Sequence, residues 1–297
     1  MVNYLWGVIC GVSGGIANFS GQILMKKAIN ETPRELKEQN LLKTLLHNRT
    51  WISGLLIMVF LSVILLTLTQ AFVGGALIPG LTASGLIVLG IGSVKILGEH
   101  LKSSEIAAIA TLIVAIAFIG FSQLSIEASL SYFEDAAFTR RIILWTLLST
   151  ACWWGCIGAG RLPTRFRTLL LSFGAGIPFV LSNIWLQPLI VAMQAVFGGT
   201  AGRFEWTLFI FAAIIQCVVN VLGLGQFQFA LNAGNASLVV PIQQLPQQLA
   251  PIFIYYFIYM FPSPTSYSLS FLIIGISLIT LAGFILANRQ AALEKIH

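Results

Sequence analysis

Residues Glu105 to Gln123 read EIAAIATLIVAIAFIGFSQ, and between Glu105 and Ser122 the one polar side chain is the hydroxyl of Thr111. A run of this length is not a barrel strand, which is about 10 residues long and alternates in polarity. It comes close to the about 20 residues a helix needs to cross the hydrocarbon, where every backbone amide must be satisfied from within the segment. Outward from it, comparable runs recur at roughly 4–28, 51–72, 75–98, 142–160, 168–194, 206–230, 237–260 and 268–287. The expected fold is therefore all-α, a polytopic membrane protein with about nine transmembrane helices.

Composition excludes the soluble alternative. Hydrophobic residues make up 57% of the 297 positions and charged residues 9%, against about 25% charged in a soluble domain; mean hydropathy is +0.91. The first run is long and lacks a basic flank, so it is read as a retained helix and not as a cleaved signal. The net charge of +6 resides in short loops, which is a topology signal and not a nucleic-acid surface. Placing the 26–50 loop in the cytoplasm leaves only Arg140, Arg141 and Arg203 outside. With nine spans the N-terminus is then outside and the C-terminus inside, and a plasma membrane is the expected host. Cys10, Cys152, Cys156 and Cys217 all fall in apolar segments, so no disulfide framework is expected.

In the longest loop, Thr32-Pro33-Arg34-Glu35 has the pattern of a capping box opening a helix, and Leu36, Leu41, Leu42, Leu45 and Leu46 make that helix amphipathic. Asn30-Glu31-Thr32 and Asn48-Arg49-Thr50 match the glycosylation pattern but fall in this cytoplasmic loop. Ser13-Gly14-Gly15-Ile16 lies over Gly174-Ala175-Gly176-Ile177, which sets Gln22 on Asn183 and Lys26 on Gln187. Farther on, the segment ending at Pro79 lies over the one ending at Pro241. Spans 1–4 thus pair with spans 6–9 in two inverted repeats (4+5 spans), an arrangement found in transporters. The expected organisation is a first membrane repeat at 1–123 with the cytoplasmic amphipathic loop at 31–50, an outside connector at 124–141, a second repeat at 142–288 and a cytoplasmic tail at 289–297.

Enzyme chemistry is not expected. The chain has one aspartate, Asp135, in a loop, and His47, His100 and His297 all lie outside the spans, so a buried nucleophile would lack its base. The spans instead carry amides at helical spacing: Asn18 with Gln22, Asn183 with Gln187, Gln216 with Asn220, Gln243 with Gln247 and Gln244 with Gln248. Such groups either join helices or line a wet path. The stretch Val240 to Pro251 packs Pro241, Pro246 and Pro251 among four glutamines, and each proline inside a helix frees a carbonyl. Pro79-Gly80, Pro178 and Pro188 give spans 3 and 6 the same signal of interruption. Trp153, Trp154 and Trp185 could stack on a flat or cationic ligand or serve in packing. Lys95 and Glu99 have the spacing of a helical ion pair in its weaker direction. The glycines of span 1 make a smooth face for close packing.

Ala71-Phe72, Leu77-Ile78-Pro79-Gly80-Leu81, then Leu97-Gly98-Glu99-His100-Leu101 and the span at 105–123 resemble the drug/metabolite transporter (EamA-like) superfamily, in particular its NIPA-type magnesium transporter branch. Lys26-Lys27 before the loop, Trp51 opening the next helix and the segment from Gln216 to Pro241 are similar to that branch. The resemblance implies two inverted halves around a central solute path worked by alternating access. One departure concerns the cargo: no span core carries an acidic residue, whereas Mg²⁺ is usually held by carboxylates.

The expected function is a secondary transporter or exchanger of a small polar or amphiphilic solute. A magnesium or divalent-cation transporter or channel, and a non-transporting receptor or scaffold, stand as alternatives. Asn18, Gln22, Asn183, Gln187, Gln243, Gln244 and Gln247 are the expected substrate-binding amides, with Trp154 or Trp185 stacking and Pro79 and Pro241 as hinges. No cofactor or bound metal is expected. Expected partners are the solute or Mg²⁺ and membrane lipid, with a homodimer left open and nucleic acid excluded.

Overall fold

The computed structural model describes residues 2–73, 78–124, 129–160 and 166–294. Gly74 to Leu77 of the first proline segment, Arg161, Arg165, Lys295 and His297 lie outside the described residues, as does the side chain of Pro79. Among the described residues the chain is helical and has no strand. In order it forms α1 (Val2–Glu31), α2 (Arg34–Leu45), α3 (Arg49–Leu56), α4 (Ser62–Val73), α5 (Ile78–Thr82), α6 (Gly85–Lys95) and α7 (Ser103–Phe121). There follow α8 (Ser131–Glu134), α9 (Ala136–Gly160), α10 (Arg167–Phe197), α11 (Arg203–Ala233), α12 (Ala236–Phe253) and α13 (Ser268–Glu294). A π-helical turn, Ile57–Leu61, joins α3 to α4, and another, Ile254–Ile258, extends α12.

Seven of these segments are long and apolar enough to cross a membrane: Tyr4–Glu31, Arg49–Thr69, Ser103–Phe121, Ala136–Gly160, Arg167–Phe197, Arg203–Ala233 and Ser268–Leu286. The chain is accordingly a multi-pass membrane protein by length and composition. The two remaining expected spans have a different character. At 75–98 the helix is interrupted at Ala83–Ser84, where the Ser84 amide and hydroxyl both donate to the Leu81 carbonyl, leaving α6 short. At 237–260 the glutamines of α12 make an otherwise continuous helix too polar to qualify on hydropathy.

Two expectations are corrected. Pro178 and Pro188 do not interrupt span 6, because α10 runs unbroken from Arg167 to Phe197 with both rings buried. Gly223 lies so close to Pro178 that a Cβ there would sit 2.9 Å from the ring, so α11 packs onto the proline and holds the helix through it. The capping box at Thr32 does not form: Pro33 occupies the N-cap of α2, and the Thr32 hydroxyl turns back to donate to the Ala28 carbonyl in α1. The loop helix does form, with Leu41 and Leu45 buried and Leu36, Leu42 and Leu46 exposed.

The helices form two compact units. The first comprises residues 1–123, 228–242 and 263–297, and the second 124–227 and 243–262. In the first, α1 packs against α3, α4, α5 and α6, and α7 against α13. Glycines allow this: a Cβ on Gly15 would strike the Thr82 backbone, and Gly21 and Gly54 each meet the other's carbonyl. In the second, α9 packs on α10, and Phe133, Phe138, Ile184, Trp185, Ile254 and Tyr259 form its apolar core. Burial divides the helices in the same way in both units. Half of the spanning window is buried in α1 and again in α10, against 17% in the segment Arg49–Thr69 and again in α11. The sparsely buried helices expose large apolar side chains such as Phe60, Ile64, Ile214 and Val221, as a lipid-facing surface requires.

Candidate functional site

Two of the expected amides are buried with an unused acceptor. Gln22 in α1 and Gln243 in α12 are each at least 95% buried, and the side-chain oxygen of each has no hydrogen-bond partner among the described residues. An amide oxygen removed from water without a donor costs roughly 1–3 kcal/mol, so such atoms are rare and need a reason. Gln22 spends its N–H on Asn18 Oδ1 at 2.7 Å, the i,i+4 pairing expected from spacing. Gln243 lies where α12 touches α10: its backbone carbonyl faces Gly176 so closely that a Cβ there would overlap it.

The other candidates are distributed as follows. Asn183, Gln187, Gln244 and Gln247 are partly buried, and their side chains make no hydrogen bond to another described residue. Pro241 is buried inside continuous α12, and Pro79 lies within α5. Trp185 is buried, donates from its indole to Thr146 Oγ1 at 3.0 Å and meets Phe211 edge-on. It also lines an apolar cavity of about 400 Å³ with Thr146, Phe204 and Phe211. Trp154 is 59% exposed beside buried Trp153. Asn18, Gln22 and Pro241 belong to the first unit, whereas Asn183, Gln187, Gln243, Gln244, Gln247, Trp154 and Trp185 belong to the second.

Other amides join helices. Ser182 donates to Gln216 Oε1 at 2.5 Å, Gln216 Nε2 returns to the Ser182 carbonyl at 2.8 Å, and Asn220 Nδ2 donates to Gln216 Oε1 at 3.0 Å. This network fastens α11 to α10. Gln226 and Gln228 escaped the spacing argument because they are two residues apart, on opposite sides of α11. Each receives an indole N–H, Gln226 from Trp153 and Gln228 from Trp51, and each bond lies within one unit. A tryptophan matched to a buried glutamine is a weak signal in sequence, since neither partner announces the other.

The first unit holds a charged cluster where α11 gives way to α12. Lys26, only 6% exposed, donates from Nζ to the Leu231 carbonyl at 2.5 Å and to the Gly234 carbonyl at 2.7 Å. Glu99, buried to a similar degree, accepts the Ala236 N–H at 2.7 Å and the Ser237 N–H at 3.0 Å. A cation thus sits at the C-terminal end of one helix and an anion at the N-terminal end of the next, each opposing the helix dipole and pairing backbone groups that helix ends leave free. Lys95 and Glu99, whose spacing is that of the weaker ion-pair direction, do not pair. Helix α6 stops at Lys95, and Gly98, with φ +68, turns the chain in the left-handed conformation that favours glycine. Glu99 is thereby directed to α12, and Lys95 is exposed.

Several contacts of the first unit have counterparts in the second, to within one residue of register. The alignment of Gly15 with Gly176 also lays Gly21 on Ser182, and that of Pro79 with Pro241 lays Gly54 on Gln216 and Met58 on Asn220. Gly21 meets Gly54 and Met58; Ser182 meets Gln216 and Asn220. Gly15 abuts the Thr82 carbonyl three residues after Pro79, and Gly176 abuts the Gln243 carbonyl two residues after Pro241.

Among the described residues no group of three or more His, Cys, Asp or Glu is gathered. No family model, curated protein or solved structure matches the chain.

Proposed function

We propose that the chain is a secondary transporter or exchanger that moves a small polar or amphiphilic solute across a membrane by alternating access. The observation that carries this reading is the pair of buried, unpartnered acceptors, Gln22 Oε1 and Gln243 Oε1. An amide kept only to join helices would be paired, as Gln216, Gln226 and Gln228 are. An acceptor left open is suited to a donor that comes and goes, such as a hydroxyl, an ammonium or a hydrated cation.

The recurrence of the same contacts in the two units supports descent of both from one repeated element. The two sequence repeats are inverted on this reading, as the order of the spans implies. On this reading the protein belongs with the drug/metabolite transporters, lies in the plasma membrane and performs no covalent chemistry. The buried glycine contacts at Gly15 and Gly176 would be the bearing surfaces on which the proline-containing helices shift.

Reconstituted protein in liposomes should take up its solute saturably, and Gln243→Leu should abolish that uptake while the protein remains folded. The solute is found first by screening metabolites and divalent ions for a rise in thermal stability of the purified protein. Uptake unchanged in both Gln243→Leu and Gln22→Leu overturns this reading of the two amides. Mg²⁺ flux in place of metabolite uptake selects the cation reading, for which amide and backbone oxygens would hold a partly hydrated ion.

A further inference from the structure

The first unit carries a groove of about 570 Å³, within the roughly 300–1,000 Å³ typical of small-molecule sites. Its walls are α6 and α7: Ile87, Ile91 and Val94 on one side, Ile106, Ile109 and Ile113 on the other. Halfway along is Gly90, around which a Cβ would meet nothing within 4 Å, so the missing side chain leaves free space. One end of this apolar trough is basic, with Lys95 and His100 both lining it and both exposed. Lys102, also exposed, is the N-cap of α7 and follows Leu101, the last lining residue before that helix. The single acid in the lining, Glu99, has both carboxylate oxygens engaged by the N–H groups of Ala236 and Ser237. The mouth is therefore cationic, and the groove has the polarity of an amphiphile: an apolar length ending in an anion-binding head.

We propose that this groove is a binding site for an anionic phospholipid, its acyl chain lying along α6 and α7 over Gly90 and its phosphate held by Lys95, His100 and Lys102. Three features favour a lipid over another occupant. The two helices that wall the trough expose Ile87, Ile91, Val94 and Ile106, an apolar surface suited to lipid, so a ligand from the bilayer can reach it. The basic end is the one that lysine and arginine placement assigns to the cytoplasmic leaflet, where anionic lipids are concentrated. Basic pockets between membrane helices on that side are established receptors of anionic headgroups.

The test uses the full chain, reconstituted in vesicles of equal parts phosphatidylglycerol and phosphatidylcholine with identical acyl chains. Retained lipids are counted by native mass spectrometry after gentle detergent extraction. Wild-type protein should retain phosphatidylglycerol in preference to phosphatidylcholine. Lys95→Gln should lower that preference about fivefold, the share of one lysine near an anionic headgroup, without changing the fold. Gly90→Phe should fill the trough and remove the retained lipid of either kind. Gly155→Phe, which places the same bulk at an open position in the second unit, should leave retention unchanged. The proposal is overturned by equal retention of the two lipids in wild type, by a preference that survives combined loss of Lys95, His100 and Lys102, or by full retention in Gly90→Phe. A doubled mass with no retained lipid, which would mean that a second copy covers the groove, overturns it as well.

Discussion

Replacing Glu99 removes the acceptor for two backbone N–H groups at the start of α12, those of Ala236 and Ser237 at 2.7 and 3.0 Å. At 8% exposure Glu99 has little access to water, and the orphaned donors in Glu99→Ala would find no ready substitute. Each buried donor left unpaired costs about 1–3 kcal/mol, so the variant should lose about 4 kcal/mol, in line with the about 3–5 kcal/mol measured when one partner of a buried ionic cluster is removed. Glu99→Gln keeps the size and one oxygen but opposes an NH₂ to the second N–H; its loss should be about 1.5–3 kcal/mol, the range for a hydrogen bond to a charged group. Equilibrium unfolding of the protein in mixed micelles, followed by tryptophan fluorescence, measures both. Hydrogen exchange should show the Ala236 and Ser237 amides losing protection first, since local opening begins where the partner is gone. Lys26→Met, which frees the Leu231 and Gly234 carbonyls, should be non-additive with Glu99→Gln by about 0.5–3 kcal/mol, because the two charges act on one another across the turn. Glu99→Ala within about 0.5 kcal/mol of wild type, the range of an ordinary surface substitution, would refute the idea that this carboxylate fixes the start of the glutamine-bearing helix.

Gln243→Leu should leave stability unchanged or slightly raised, because it replaces an unpaired buried amide by an apolar group of similar volume; a clear loss of stability would show that the amide has a structural partner. Gly15→Ala and Gly176→Ala should each destabilise by about 1–3 kcal/mol through backbone overlap, and unequal effects, one large and one absent, would count against equivalent roles in the two units. Trp153→Phe strips the buried Gln226 oxygen of its donor and should cost about 1–3 kcal/mol in the same unfolding assay, whereas exposed Trp154→Phe should cost almost nothing.

The long apolar runs of this chain fix their own conformation, because a segment without water must satisfy its backbone internally and the helix alone does so locally. Hence the spans at 105–123, 168–194 and 206–230 were legible at once, and so was the pairing of Asn18 with Gln22, which needs only helical spacing. Proline was a poorer guide. A proline inside a helix removes one hydrogen bond, but whether the helix then breaks depends on what packs against the ring, and Gly223 on α11 holds α10 through Pro178. Spacing likewise could not say which amides are paired: Gln216 has a partner because Ser182 on α10 faces it, whereas the side-chain oxygen of Gln243 has none among the described residues. Least visible was the charged clamp. Lys26 and Glu99 are separated by more than seventy residues from one another and by more than a hundred from the carbonyls and amides they bind. The bonds connect side chains to backbone groups that carry no residue signature. Sequence determined that the chain lives in a bilayer and where its polar atoms are; only the tertiary structure decided which of those atoms are satisfied, because satisfaction depends on the neighbour that packing supplies.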